Sequence, residues 1–156
     1  KIPAGVDNEN KIRLSGGGEA GERGGITGDL YIVTYIKKHQ FFEKEGNNIY
    51  SEVPIKMTTA ALGGNIEIPT IDKVRAKIKI PEGSQSGDKL RLRSKGMSII
   101  NSGGRRGDMY ISLAVETPVD LNAKQKSLLE EFDKTISENS NPKQKFFFKK
   151  VKEFFK

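Results

Sequence analysis

His39 is the only histidine in a chain that has no cysteine, and this narrows the available chemistry. A Ser or Cys triad needs a histidine backed by a carboxylate, and a zinc site needs several nitrogen or sulfur ligands. His39 is instead followed by Gln40, Phe41 and Phe42, which suits an aromatic anchor at a junction between domains. Asp29 and Asp108 each follow a glycine at matching points of an internal repeat. Acid–base catalysis would need them to converge on one bond from two separate units. They are expected instead to accept backbone amide hydrogen bonds in turns. The glycine-rich run over residues 15–25 contains Glu19 and Glu22, lacks a Gly-Lys-Ser/Thr ending and leads into a strand. It reads as a turn connection, not a phosphate cradle. No catalytic constellation emerges, and the chain is not expected to be an enzyme.

These residues sit in a duplicated framework. Lys1-Ile2-Pro3-Ala4-Gly5, Lys11-Ile12-Arg13-Leu14 and Gly28-Asp29-Leu30-Tyr31-Ile32 match Lys79-Ile80-Pro81-Glu82-Gly83, Lys89-Leu90-Arg91-Leu92 and Gly107-Asp108-Met109-Tyr110-Ile111. The offset is 78 residues, rising to 79 after the glycine-rich loop. A period that long fits a duplicated domain and not a solenoid unit. About forty residues of strand-like sequence precede the second copy, whereas the first begins at residue 1, so the chain is expected to start inside its first domain.

The 156 residues include 17 glycines and are 35% hydrophobic, a balance suited to short strands and turns. No apolar run approaches the roughly 20 residues of a membrane span. Of the net charge of +7, residues 141–156 supply +5, from six lysines against Glu153. The remaining body is too nearly balanced to present the broad basic face of a duplex-binding domain.

Residues 29–36 are apolar on both faces and are expected to be sandwiched or central in a sheet. Residues 48–55 turn Ile49, Val53 and Ile55 inward, with Pro54 marking a strand end or edge. Residues 58–64 suggest one helical turn stopped by glycine, and 65–68 and 74–80 two half-buried strands. A turn-rich stretch at 101–107 leads into a long strand over 108–116. Asp120 or Asn122 caps a helix running to about Ile136, with an apolar stripe of Leu121, Leu128, Leu129, Phe132 and Ile136. A linker follows. From Lys145 onward, Phe147, Val151, Phe154 and Phe155 share one helical face among lysines.

Several of these motifs together resemble the carboxy-terminal region of the bacterial DnaJ family of J-domain co-chaperones. They are Ile2-Pro3-Ala4-Gly5-Val6, Lys11-Ile12-Arg13-Leu14-Ser15-Gly16, Gly18-Glu19-Ala20-Gly21, Gly28-Asp29-Leu30-Tyr31 and His39-Gln40-Phe41-Phe42 with Gly46. Val53-Pro54-Ile55, Ala60-Ala61-Leu62-Gly63-Gly64, Pro69-Thr70 and Val115-Glu116-Thr117-Pro118-Val119 follow in family order. The family's usual proline after the histidine is Gln40 here. The resemblance implies a mainly β chain of two consecutive small β-sandwich-like domains, the first incomplete, followed by a dimerisation helix. Its expected parts are residues 1–38, 39–118 and 119–137, with a basic and aromatic tail over 138–156. Zinc is implied only for a cysteine-rich module lying outside this sequence, so no cofactor is expected here. The implied partners are unfolded polypeptide clients, a DnaK-type ATPase chaperone and a second copy of the chain, in a cytoplasmic stress-response role.

The implied site residues each have a plainer reading. Ile12, Leu14, Leu30 and Ile32 are the candidates for a peptide-binding groove, and equally suit the core of a sandwich. Leu121, Leu128, Leu129, Phe132 and Ile136 are the candidates for a two-fold contact, or pack on their own domain. The tail suits packing against a neighbour or disorder. It also admits a membrane-surface or nucleic-acid contact, the latter making the chain a basic nucleic-acid-binding module as the alternative function.

Overall fold

A computed structural model of the protein describes residues 2, 4–100 and 102–155. Lys1 and Pro3 of the opening motif, Asn101 of the turn-rich stretch and Lys156 of the lysine-rich tail lie outside the described residues. The chain forms two compact units, Lys1–Thr117 and Pro118–Lys156. The first contains β1 (Lys11–Leu14), β2 (Leu30–Val33), β3 (Glu43–Glu45), β4 (Asn48–Lys56), α1 (Met57–Leu62), β5 (Gly64–Pro69), β6 (Arg75–Ile80), β7 (Lys89–Leu92) and β8 (Met109–Glu116). The second contains α2 (Ala123–Thr135) and α3 (Pro142–Phe154). The protein is therefore mainly β with a helical carboxy-terminal part.

Among the described residues the strands form three sheets: a β1–β2 hairpin, a four-stranded sheet in the order β3-β4-β8-β7, and a β5–β6 hairpin. β4 and β8 run parallel, Ile49 opposite Met109 through Lys56 opposite Glu116. Parallel neighbours need a long crossover, which α1, the β5–β6 hairpin and β7 supply. α1 stops because Gly63 takes a φ of 72°, a left-handed conformation costly for any residue with a Cβ. β3 pairs with Asn48–Tyr50, so among the described residues no strand flanks β4 on that side at Pro54, where a residue without an amide hydrogen is tolerated.

Alternation sends Ile49 and Ile55 of β4, and Met109, Ile111 and Leu113 of β8, to one face of the large sheet. Ile68, Ile78 and Ile80 of the β5–β6 hairpin and Ala60 of α1 join them in one core. The outcome is a small sandwich closed by burial of branched aliphatic side chains.

The duplication is structural and keeps its register. β1 pairs with β2 as Lys11–Val33, Ile12–Ile32, Arg13–Tyr31 and Leu14–Leu30. β7 pairs with β8 as Lys89–Ser112, Leu90–Ile111, Arg91–Tyr110 and Leu92–Met109, the same pairs at the repeat offset. The connecting loops repeat their hydrogen bonds too. Gly18 N–H donates to Gly28 O and Gly96 N–H to Gly107 O, each at 2.8 Å; Gly28 N–H donates to Glu19 O and Gly107 N–H to Met97 O, each at 2.9 Å.

One expectation is corrected. Residues 29–36 are neither sandwiched nor central: the strand is Leu30–Val33, it belongs to a two-stranded sheet, and all four residues are exposed. An apolar pattern on both faces favours burial, but burial needs a covering layer. In the second copy β4 and the β5–β6 hairpin provide it; among the described residues the first copy has no counterpart.

Candidate binding surfaces

Cross-strand partners in an antiparallel pair point to the same side. The register therefore places Ile12, Leu14, Leu30 and Ile32 on one face of the β1–β2 hairpin, uniting all four residues singled out for peptide binding. Leu14 is 53% exposed, Leu30 43% and Ile32 39%, with Ile12 half-buried. The equivalent face of the second copy is Leu90, Leu92, Met109 and Ile111, of which Met109 and Ile111 are 1% and 0% exposed. One face of one motif is thus open in the first copy and core in the second.

The edges differ as well. β8 has β7 on one side and β4 on the other, whereas among the described residues β2 has only β1. In the second copy the chain at Asn47 crosses the loop so closely that a Cβ on Gly107 would collide with the Asn47 carbonyl. Asn48 Oδ1 also accepts from Asp108 N–H at 2.9 Å, and Asn47 O from Met97 N–H at 2.9 Å. At Gly28, the equivalent of Gly107, a Cβ would meet only Glu19 O at 3.7 Å. Among the described residues, no strand lies against the outer edge of β2 and no second layer covers its apolar face.

The paired aspartates serve the turns. Asp29 Oδ1 accepts from Gly16 N–H at 3.0 Å, and Oδ2 from the Arg13 guanidinium at 2.6 Å. Asp108 Oδ1 accepts from Ser94 N–H at 2.8 Å, and Oδ2 from Arg91 at 2.8 Å. The Ser94 amide and the Arg91 charge hold the Asp108 carboxyl below its ordinary range. The two aspartates tie matching loops, each in its own copy. The glycine-rich loop holds only a three-residue 3-10 turn, Glu22–Gly24, before β2.

His39 stacks on Phe42 at 4.8 Å and meets Phe41 edge-on at 4.8 Å. Nearby, Tyr50 of β4 stacks on Tyr110 of β8 at 5.2 Å. These rings border a shallow cleft of about 520 Å³ whose lining includes Glu52, Lys89 and Ser112. The tyrosine pair was missed from the sequence, because it depends on a parallel register between strands about sixty residues apart. The only signal was a tyrosine at position two or three of both strands. Among the described residues, no three His, Cys, Asp or Glu side chains gather to hold a metal ion.

In the second unit, Asn122 caps α2 through a reciprocal box: its side chain accepts from Gln125 N–H and the Gln125 side chain from Asn122 N–H, both at 2.9 Å. Asn122, not Asp120, is the cap. α2 is shorter than the expected helix, leaving Leu121 before its cap and Ile136 at its end. Leu128 and Phe132 are 55% and 56% exposed, one turn apart, while Leu121, Leu129 and Ile136 are half-buried. The terminal segment is helical from Pro142, which occupies the first turn where a missing amide hydrogen costs nothing. No helix among the described residues is long and apolar enough to cross a membrane.

Two family models match the chain: the DnaJ C terminal domain over residues 1–118 and the Chaperone protein DnaJ C-terminal region over residues 124–156. Similar curated proteins include a Chaperone protein DnaJ from Ruegeria sp. (strain TM1040), 56% identical over 154 residues. Others are that of Ruegeria pomeroyi, 57% identical over 154 residues, and that of Ehrlichia ruminantium (strain Gardel), 54% identical over 155. Each alignment takes in 99% of this chain and 40% of the relative, so the chain spans well under half the length of the proteins it matches. With the duplicated hairpin, the sandwich and both family models agreeing along the sequence, the chain belongs to the DnaJ C-terminal domain family.

Proposed function

We propose that this chain is a polypeptide-binding and assembly module of a DnaJ-type co-chaperone. It holds apolar segments of unfolded clients, pairs with a second copy through α2, and supports delivery to a DnaK-type ATPase in the cytoplasm. It does so by binding alone, with no catalytic step and no cofactor in these residues. The observation that carries the reading is that the β1–β2 register gathers Ile12, Leu14, Leu30 and Ile32 on one face, three of them exposed. An extended apolar segment that packs on that face buries its side chains against these four. The second copy illustrates the stabilisation available when such a face is covered. Two modest sites in a dimer then gain avidity for one long client through effective concentration.

Titration of the chain with a fluorescent apolar peptide tests this. Leu14→Asp with Ile32→Asp is expected to weaken binding at least about tenfold, since it places charge on the contact face. Unchanged affinity in that variant, shown to be folded by circular dichroism, rejects the site.

A further inference from the structure

α3 carries a surface that polypeptide binding and pairing through α2 leave unused. At about 100° per residue, Phe147, Phe148, Val151, Phe154 and Phe155 fall within an arc of about 120°. The four phenylalanines of this arc are 53–84% exposed, and Val151 is half-buried. Lys143 and Lys150 flank one side of the arc, Lys145 and Lys152 the other. α3 holds five lysines against Glu153. Phe146 lies outside the arc, where Lys150 Nζ sits 4.7 Å from its ring centre. Apart from Phe146, the rings therefore lie on one side of a helix roughly 20 Å long, with lysines at its margins.

We infer that α3 is an interfacial anchor that lies flat on an anionic lipid surface, with the phenylalanine arc entering the headgroup–acyl boundary and the flanking lysines meeting lipid phosphates. The charge distribution selects this occupant. A second α3 would set five lysines against five, whereas α2 carries three lysines against three acidic residues and has no such penalty. Single-stranded nucleic acid is bound where aromatic rings and cations share one face so that bases stack between phosphate contacts; here only the Phe146–Lys150 pair does so, and the other four phenylalanines lie on a separate arc. An aromatic arc flanked by lysines is the pattern of helices that bind in the interface plane, their lysine stems extending toward the headgroups. The inference does not depend on peptide binding by the β1–β2 hairpin.

The chain has no tryptophan, so Phe154→Trp gives a single reporter in the arc. The 156-residue chain carrying it is titrated with phosphatidylcholine vesicles with and without phosphatidylglycerol, at low and high salt. A blue shift of Trp emission is expected only with phosphatidylglycerol, weakening as salt rises. Lys150→Gln with Lys152→Gln should reduce partitioning roughly 25-fold, from about fivefold per lysine near an anionic surface. Phe147→Ser with Val151→Ser should abolish the shift while circular dichroism stays unchanged. The inference is overturned by equal binding to neutral vesicles, or by salt-sensitive binding without a blue shift. No vesicle binding overturns it too, including the case where the helix prefers an oligonucleotide or an acidic protein.

Discussion

Ile32 and Ile111 occupy one position of one motif, paired with Ile12 and Leu90 respectively, yet one is open and the other sealed. A side chain's worth to stability lies in what covers it, so the same substitution should act very unequally in the two copies. Ile111→Asp places an unpaired carboxylate in the core and is expected to cost about 3–5 kcal/mol or unfold the first unit. Ile32→Asp should cost less than about 1 kcal/mol, because its side chain already meets water. Urea denaturation of both variants measures the contrast. Equal losses would mean that the first-copy face is covered, removing the basis for its binding role. Asp29 and Asp108 show the reverse case, where one residue does one task in both copies by tying a loop amide to an arginine.

At the scale of elements, α2 is firmly initiated by its Asn122–Gln125 box but exposes Leu128 and Phe132. A helix of 13 residues is marginal alone in water and gains most of its stability from what its apolar stripe packs against. Pairing of two copies along that stripe predicts a light-scattering mass twice that of the chain, falling to the single-chain value in Leu128→Asp with Leu129→Asp. A mass unaffected by the substitutions would place any self-association elsewhere. The helix was readable in sequence because its stripe has helical spacing, whereas the choice of Asn122 over Asp120 as cap came with the Asn122–Gln125 hydrogen bonds. The β2 strand was also readable, but its neighbours were not: alternation reports that a face is apolar and says nothing about what covers it.

For the whole first unit, three carboxyl groups bind the fold to pH. Hydrogen bonds from Lys44 to Asp7, from Arg106 to Asp72 and from the Ser94 amide to Asp108 hold each below its ordinary value of 3.8. The unfolded chain then binds more protons than the folded one in acid. The contribution of these carboxylates is complete above about 3.8 and is lost as pH falls through the lower folded values. Thermal unfolding followed through the tyrosine signal should show Tm falling across that acidic window. Asp72→Asn with Asp108→Asn should lower Tm at neutral pH and flatten the decline; an unaltered slope would assign the acid sensitivity to other groups. Arg106 adds to this tie, because its guanidinium also donates twice to Gly96 O, at 3.0 and 2.8 Å.

Residue types and spacing were enough to establish the repeat, most strand positions, the carboxy-terminal helix and the family resemblance. Each of these is local chemistry or a period along the chain. The parallel pairing of β4 with β8, the Tyr50–Tyr110 stack and the opposite environments of Ile32 and Ile111 came only with the fold. They depend on which distant segments meet. Two stretches that share a motif pattern cannot reveal what covers each of them, since the covering layer of the second copy is encoded outside it.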